Sequence, residues 1–458
     1  MGMTDFRTIS LGEGASVVLE PETLLWVIAE SKQLKQAHRL LSDTYSELQD
    51  DLKQDTERMR TSHLVDMIEL HPTAVCNMRC AYCYIPEAYR KRPLVMSRDD
   101  VDRVVRKVLS WVEEKGGMKR IIFHGGEPLL ARDSIFPVID RYWRDVEFGI
   151  QTNATLLTQG DADFIKERNV HVSLSLDGHT AEVNDRCRQY SNGGSTFDDV
   201  VRNISLFRDF EWNGVIVTIT RHNVGYLAEM LRFLYGMGIR SALFNPVSPA
   251  NPAAALLMPK TEDLLAGYRG LINELVRLNT VPGARRFVVD NIESLVVALV
   301  TSNMRVLYCH MTPCGAGRFM YVIDPAGYVY PCSEFVGHEE FRCGNIFSDP
   351  MAEVLDAPPC KRLRARYVER VKGCISCEYR MICGANCPAA VQSLSGNLDG
   401  RSPYCEFLKG SVNLIFRTFL DHGIESAFCL VSTRFEEMLR KSALLLDASQ
   451  GGARQPRA

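Results

Sequence analysis

The stretch "VCNMRCAYCY", Val75 to Tyr84, sets three cysteines within eight positions and supplies no fourth. Sulfurs at C-x3-C-x2-C spacing let one loop wrap Cys76, Cys80 and Cys83 around a single centre, an iron–sulfur cube or a zinc ion. Four-ligand closure is the habit of structural sites, and an open position that of chemical ones. Three thiolates on a cube leave one iron open. A zinc ion that borrows a distant fourth cysteine is the plainer alternative.

The neighbouring sequence gives this loop a scaffold. Upstream, "HLVDMIELH" is strand-like, so the cysteines follow a strand directly. Downstream, "MSRDDVDRVVRKVLSWVEEKGG" predicts a helix, with Ser97 and Asp100 at Ncap-to-N3 spacing and Asp in place of the Glu or Gln of a capping box. Val101, Val104, Val105, Val108, Leu109 and Val112 form its apolar stripe. Further strands follow at "KRIIFH", "VEFGIQT", "VHVSLSL", "GVIVTIT" and "RSALFNPV". Helical segments separate them at "SIFPVIDRYWRD" and near 158–168, 195–209 and 224–237. Six strand–helix steps by residue 280 predict an α/β fold with a parallel sheet and right-handed crossovers. The steps can close as a partial barrel or lie open as a doubly wound sheet. In either case functional loops belong at the carboxyl ends of the strands.

At 458 residues the chain is long enough for two or three structural units, or for one large α/β barrel with appendages. Its 46% hydrophobic and 24% charged residues are those of an ordinary globular protein. A net charge of −3 argues against nucleic acid or a membrane surface as the main partner. The opening "MGMTDFRTISLGEG" has no basic region followed by an apolar run, and the apolar run in "ESLVVALVTS" is too short to span a bilayer. The expected location is the cytoplasm, where structural disulfides are improbable. Fifteen cysteines therefore point to metal or catalytic thiolates. Cys187, Cys343, Cys360 and Cys429 stand outside the clusters and read as small core hydrophobes.

Five segments follow. Residues 1–62 hold an extended piece, "ASVVLEPE", and then one or two charged helices over "TLLWVIAESKQLKQAHRLLSDTYSELQDDLKQ", read as a packing layer with a peptide-docking element as the alternative. Residues 63–280 carry the strand–helix alternation, and 281–308 form a helical bridge. Residues 309–405 hold ten of the cysteines in short pieces, a region that needs metal staples to fold. Closing helices and a frayed tail, "DASQGGARQPRA", occupy 406–458.

"CNMRCAYC" resembles the signature of the radical S-adenosylmethionine (radical SAM) superfamily. The resemblance implies a partial (β/α)6 TIM-type barrel and a cube whose unique iron takes the amine and carboxylate of SAM. Reduction of that complex gives a 5′-deoxyadenosyl radical. "GGEP", Gly125 to Pro128, follows the second strand where family members cradle the SAM amine; bare glycine backbone allows close approach of a ligand, and Glu127 offers a carboxylate to an ammonium group. "SLSLDG" resembles the family's ribose and carboxylate contacts, which implies roles for Ser175 and Asp177. Arg188 in "DRCR" is the implied partner of the SAM carboxylate through its bidentate fork, with Arg186 competing. Asn153 in "QTNATLL" matches a position near the cofactor, and Tyr82 resembles the aromatic that backs the adenine. His124 reads as a satisfied interior histidine.

The later cysteines fall into two patterns. Cys314, Gly327 and Cys332 read C-x12-G-x4-C, and Cys374, Cys377, Cys383 and Cys387 read C-x2-C-x5-C-x3-C, with Cys405 beyond. In isolation these suit a zinc ribbon. Together with the first cluster they resemble the small SPASM domain of radical SAM peptide-modifying enzymes, which carries two auxiliary [4Fe–4S] clusters. The family's interleaved ligation implies Cys309, Cys314, Cys332 and Cys387 on one cube and Cys374, Cys377, Cys383 and Cys405 on the other. Eight thiolates close both sites, so the clusters act in electron transfer and folding.

The implied function is a maturase that abstracts hydrogen from a peptide or protein and installs a thioether, a carbon–carbon crosslink or an oxidised residue. Its cofactors are SAM and three [4Fe–4S] clusters, and its electron donor is of the flavodoxin or ferredoxin kind. Anaerobic sulfatase-maturing enzymes place an Asp after the residue corresponding to Cys332. This chain has Ser333 and then Glu334 there, which argues against formylglycine formation and leaves Glu334 as the candidate base. Sulfatase-type maturation and small-molecule dehydrogenation are the alternatives within the class, and a zinc-binding interaction protein is the alternative outside it.

Overall fold

Three antiparallel strands, β1 (Arg7–Gly12), β2 (Ala15–Leu19) and β3 (Trp26–Glu30), begin the chain and pair in that order. The computed structural model describes residues 6–301 and 304–441, together with the short strands Leu446–Asp447 and Gly452–Ala453. The predicted tail thus falls largely outside the described residues. "TLLWVIAE" was expected to begin a helix, but Trp26–Glu30 is a strand and the helix runs from Leu34 to Thr61. The cause is tertiary. Trp26 is 2% exposed, stacked on Phe419 and edge-on to Phe416, and its Nε1–H donates to the Leu299 carbonyl. Those partners lie more than 270 residues away, beyond the reach of local periodicity.

The six strands expected after residue 63 all form. They are β4 (Met67–Leu70), β5 (Arg120–Phe123), β6 (Glu147–Thr152), β7 (His171–Ser175), β8 (Asn213–Ile219) and β9 (Ser241–Pro246). Each pairs in parallel with the next, and a two-residue strand, β10 (Val288–Val289), extends the row beyond β9. A doubly wound sheet reverses strand order at a switch point. This one does not reverse, so the winding is that of a barrel left open, a partial barrel.

Crossover helices cover its outside. Helix Arg98–Lys115 is capped by Ser97, whose Oγ accepts from the Asp100 N–H at 3.1 Å. The Asp100 carboxylate accepts from that same hydroxyl at 2.7 Å, which makes a one-sided cap. Its buried face is Val101, Val104, Val105, Val108, Trp111 and Val112, with Leu109 only half-buried.

The cysteine-rich segment continues the same sheet. Strand β11 (Met320–Ile323) lies parallel to β4, from Met320 opposite Met67 to Ile323 opposite Leu70. Strand β12 (Tyr328–Tyr330) adds antiparallel to β11, and β13 (Gly344–Asn345) antiparallel to β12. Gly327 turns the hairpin at φ +82°, where a Cβ would lie 2.4 Å from the Phe347 ring. Only glycine fits there. Ten strands therefore run β10-β9-β8-β7-β6-β5-β4-β11-β12-β13, and the seam at β4 joins the two cysteine regions. Helix Asp290–Val300, buried from Asn291 onward, bridges the barrel to this segment, and helices Cys405–His422 and Thr433–Lys441 close the chain.

Candidate active site

A cavity of about 490 Å³ opens at the carboxyl ends of the barrel strands, within the size range of small-ligand sites. Cys76, Cys80 and Cys83 all face it from the loop after β4. Burial pushes the Cys76 thiol up to about 12 and the Cys80 thiol up to about 11. Thiolates in such a place need a compensating cation, and iron is one. The donor set therefore fits a thiolate-bound cluster.

The GGEP turn packs on this loop. Gly125 and Gly126 line the cavity, yet the group that approaches their backbone is the cysteine loop itself. A Cβ on Gly126 would sit 2.1 Å from the Val75 carbonyl oxygen, and one on Gly125 2.7 Å from that of Thr73. Hydrogen bonds from Gly126 N to Thr73 O and Glu127 N to Val75 O fix the contact. Glu127 is 0% exposed. Its carboxylate accepts from the Leu129 N–H at 3.0 Å, the Thr152 hydroxyl at 2.7 Å and the Asn153 N–H at 2.8 Å. The side chain expected to face an ammonium group instead ties the β5 and β6 loops together, with buried Pro128 behind it.

Asn153 does reach the cavity. Its Nδ2 donates to Asn77 Oδ1 at 2.8 Å and lies 3.7 Å from Cys76 Sγ. Ser175 ends β7 on the same wall. Opposite, Arg188 donates through Nη1 to the Tyr82 hydroxyl at 2.8 Å, and Tyr82 donates to the Asp177 carboxylate. Asp177 is 2% exposed and also accepts from the Thr218 N–H at 2.9 Å. Arg188 is itself buried, with Nε lacking any partner. A buried guanidinium that lines the cavity fits a carboxylate ligand. Arg186, the competing choice, is on the surface and pairs with Glu182.

The later cysteines separate into two groups. Cys309, Cys314, Cys332 and Cys387 line the same cavity as the first three. Cys309 has exposed area yet is surrounded by protein, because what it faces is this cavity. Cys374, Cys377, Cys383 and Cys405 line a second, smaller cavity. Burial raises both the Cys383 and Cys387 thiols to about 12. The four cysteines outside these groups are buried, and Cys343 and Cys360 lie 3.3 Å apart, sulfur to sulfur.

Glu334 also faces the main cavity, where its carboxylate accepts from Ser248 Oγ at 2.6 Å. Ser333 donates its hydroxyl to Glu69 on β4. Glu69 and His124 line the cavity too, and neither was singled out as functional. The available signal was a carboxylate in the middle of an apolar strand, since buried charges seldom lack a purpose.

Comparison with known proteins agrees with this geometry. The family model for the radical SAM superfamily matches residues 70–234, and that for the SPASM iron–sulfur cluster-binding domain matches 314–378. An uncharacterised protein of Archaeoglobus fulgidus is 34% identical over 396 residues, 86% of this chain and 90% of its own length. The mycofactocin maturase MftC of Mycobacterium tuberculosis is 29% identical over 73% of this chain and 81% of its own. Among solved structures, native anSMEcpe with bound AdoMet and the Cp18Cys peptide superposes with a TM-score of 0.66 at 20% identity, covering 78% of this chain and 99% of that one. Seven cysteines around one cavity, a cysteine loop seated on its GGEP turn and these matches give one answer: the chain belongs to the radical SAM superfamily, as an iron–sulfur enzyme of S-adenosylmethionine with a C-terminal SPASM domain.

Proposed function

We propose that this enzyme is a maturase that removes hydrogen from a peptide or protein substrate held in the main cavity. The observation that carries the reading is the seam at β4. It sets Cys309, Cys314, Cys332 and Cys387 on the same cavity as Cys76, Cys80 and Cys83. A substrate between these groups has the radical source on one side and an electron acceptor on the other. Reductive cleavage of SAM at the first cluster supplies a 5′-deoxyadenosyl radical.

The chain's own contribution is placement. Cys76, Cys80 and Cys83 hold the first cluster, and Arg188 takes the cofactor carboxylate through its guanidinium. Tyr82 and Asp177 hold Arg188 in that orientation, and Ser175 and Asn153 complete the wall. Gly125, Gly126, Glu127 and Pro128 fix the height of the cysteine loop. Glu334 presents a carboxylate to the cavity where a substrate proton has to be taken up. Cys374, Cys377, Cys383 and Cys405 hold the remote cluster. The electron donor is of the flavodoxin or ferredoxin kind and the setting is the cytoplasm; among the described residues no helix is long and apolar enough to cross a membrane. The maturase relative and the peptide-bound fold neighbour support a peptide rather than a small molecule, and family membership sets aside a zinc-binding interaction protein.

Anaerobically reconstituted protein should carry about twelve irons for three cubes and release 5′-deoxyadenosine when reduced with SAM. Co-expression with short peptides encoded beside its gene should give a peptide that has lost hydrogen by mass. Release of 5′-deoxyadenosine with every such peptide unchanged would refute the peptide reading and leave the enzyme class intact.

A further inference from the structure

The cavity has a second cluster of donor atoms that contains no sulfur. Glu69 and His71 alternate along the end of β4 with buried Ile68 and Leu70, so both side chains project to one side. His124 joins them from the end of β5, held by its N–H to the Leu70 carbonyl. Glu69 Oε2 lies 3.9 Å from His71 Nε2 and 3.7 Å from His124 Nδ1, and the three donor atoms lie within 4.8 Å of one another. These separations are too long for direct hydrogen bonds. They suit an ion between the groups, since first-row metals bind nitrogen and carboxylate oxygen at about 2.0–2.2 Å.

His71 makes the gap costly. It is 1% exposed, and neither ring nitrogen has a hydrogen-bond partner. Orphaned buried polar atoms are rare in folded proteins and commonly mark a bound ion or water. The Ser333 hydroxyl donates to Glu69 Oε2, an outer contact of the kind that orients metal-bound carboxylates. The remaining contact, Tyr84 OH to His124 Nδ1, is a weak 3.4 Å.

We propose that Glu69, His71 and His124 form a mononuclear site for a divalent transition metal beside the main cavity. Two histidines and one carboxylate are the donor set of catalytic zinc and of non-haem iron(II). Three protein ligands leave positions open, and Glu69 and His124 line the cavity, so those positions face it. The site takes an oxygen or nitrogen donor of the substrate and anchors it at the carboxyl ends of β4 and β5. The metal site does not depend on that substrate being a peptide.

Zinc(II) added to cluster-loaded holoenzyme is the probe. After desalting, the wild-type protein should retain about one zinc per chain, and zinc X-ray absorption should show nitrogen and oxygen neighbours at about 2.0–2.1 Å with no sulfur shell near 2.3 Å. Glu69→Gln and His71→Gln should each lower zinc affinity at least about tenfold with iron content unchanged. Loss of iron in both variants would leave the wild-type absorption spectrum to decide. Zinc that is not retained, zinc with a sulfur shell, or retention indifferent to both substitutions would overturn the proposal, the first of these in favour of a bridging water.

Discussion

The two ends of the cysteine inventory are built on opposite principles. Cys76, Cys80 and Cys83 sit on a loop whose position is set by a parallel sheet: β4 below, the GGEP turn packed on its backbone, and β5 and β6 tied together by Glu127. Cys374, Cys377 and Cys383 sit among helical pieces of three to eight residues, and Cys405 opens helix Cys405–His422. That segment is gathered around Arg366, a 4%-exposed guanidinium that donates to the carbonyls of Leu398, Asn386, Ala385 and Gly400. On the proposed ligation, the fold holds the thiols in the first region, whereas in the second the thiols hold the fold. A barrel loop can leave a corner open for chemistry because it does not need the metal to stay in place, and a staple cannot.

The largest effect should separate function from folding in the first region. Cys80→Ala should reduce 5′-deoxyadenosine release to background and lower iron from about twelve to about eight per chain. The melting temperature should stay within a few degrees, since the apolar core carries the barrel. A large drop in melting temperature would break the comparison, because the barrel loop would then be a staple too.

Cys377→Ala should do the reverse. Loss of a structural thiolate site removes binding energy that is folding energy, at least about 3 kcal/mol, enough to lower the melting temperature by several degrees in a domain of this size. Limited proteolysis should open the chain between 366 and 405 first, while SAM binding survives. Protease resistance equal to wild type would show that Arg366 and its carbonyls suffice.

Within the barrel, Arg188→Ala should weaken SAM binding by about 10–100-fold, the value of a charge-assisted bidentate contact, as read by equilibrium dialysis. Tyr82→Phe removes only the hydroxyl that links Arg188 to Asp177 and should cost about 1 kcal/mol, roughly fivefold. Unequal loss in that order sharpens the view of a preset wall; equal losses would make Tyr82 a direct ligand contact.

This division also explains what could be read in advance. The six barrel strands and the cysteine spacings were legible because period-two alternation and short-range ligand geometry are local properties. Gly327 was legible in the C-x12-G-x4-C pattern because a turn with φ of +82° against Phe347 permits no other residue. Strand β3 was not, since the partners that select it, Leu299, Phe416 and Phe419, come from the far end of the chain. Glu127 was read as facing a ligand because no local pattern reveals that Thr152 and Asn153 already occupy its oxygens. The grouping of Glu69 with His124 was hidden for the same reason, as it exists only once β4 and β5 are paired.

The last effect belongs to the bridge between the two regions. Asp290 opens helix Asp290–Val300, and burial, with Glu293 adding to it, pushes its carboxyl up to about 8. The folded state therefore keeps a proton that the unfolded chain releases near pH 4. Stability is greatest below that value, falls as pH rises and levels off near pH 8. The helix N-terminus favours the anion and offsets part of the burial cost, so the gain should fall below the ceiling of roughly 1.4 kcal/mol per pH unit between the two values. Asp290→Asn keeps the shape and removes the titration, so denaturant midpoints should match wild type at the acid end and exceed it at pH 8. Because the bridge carries no thiol, the gain should appear equally in protein with and without the remote cluster. A gain confined to cluster-loaded protein would mean that helix 290–300 is positioned by the staple, and would move the boundary between the two regions from the cysteine segment to the barrel wall.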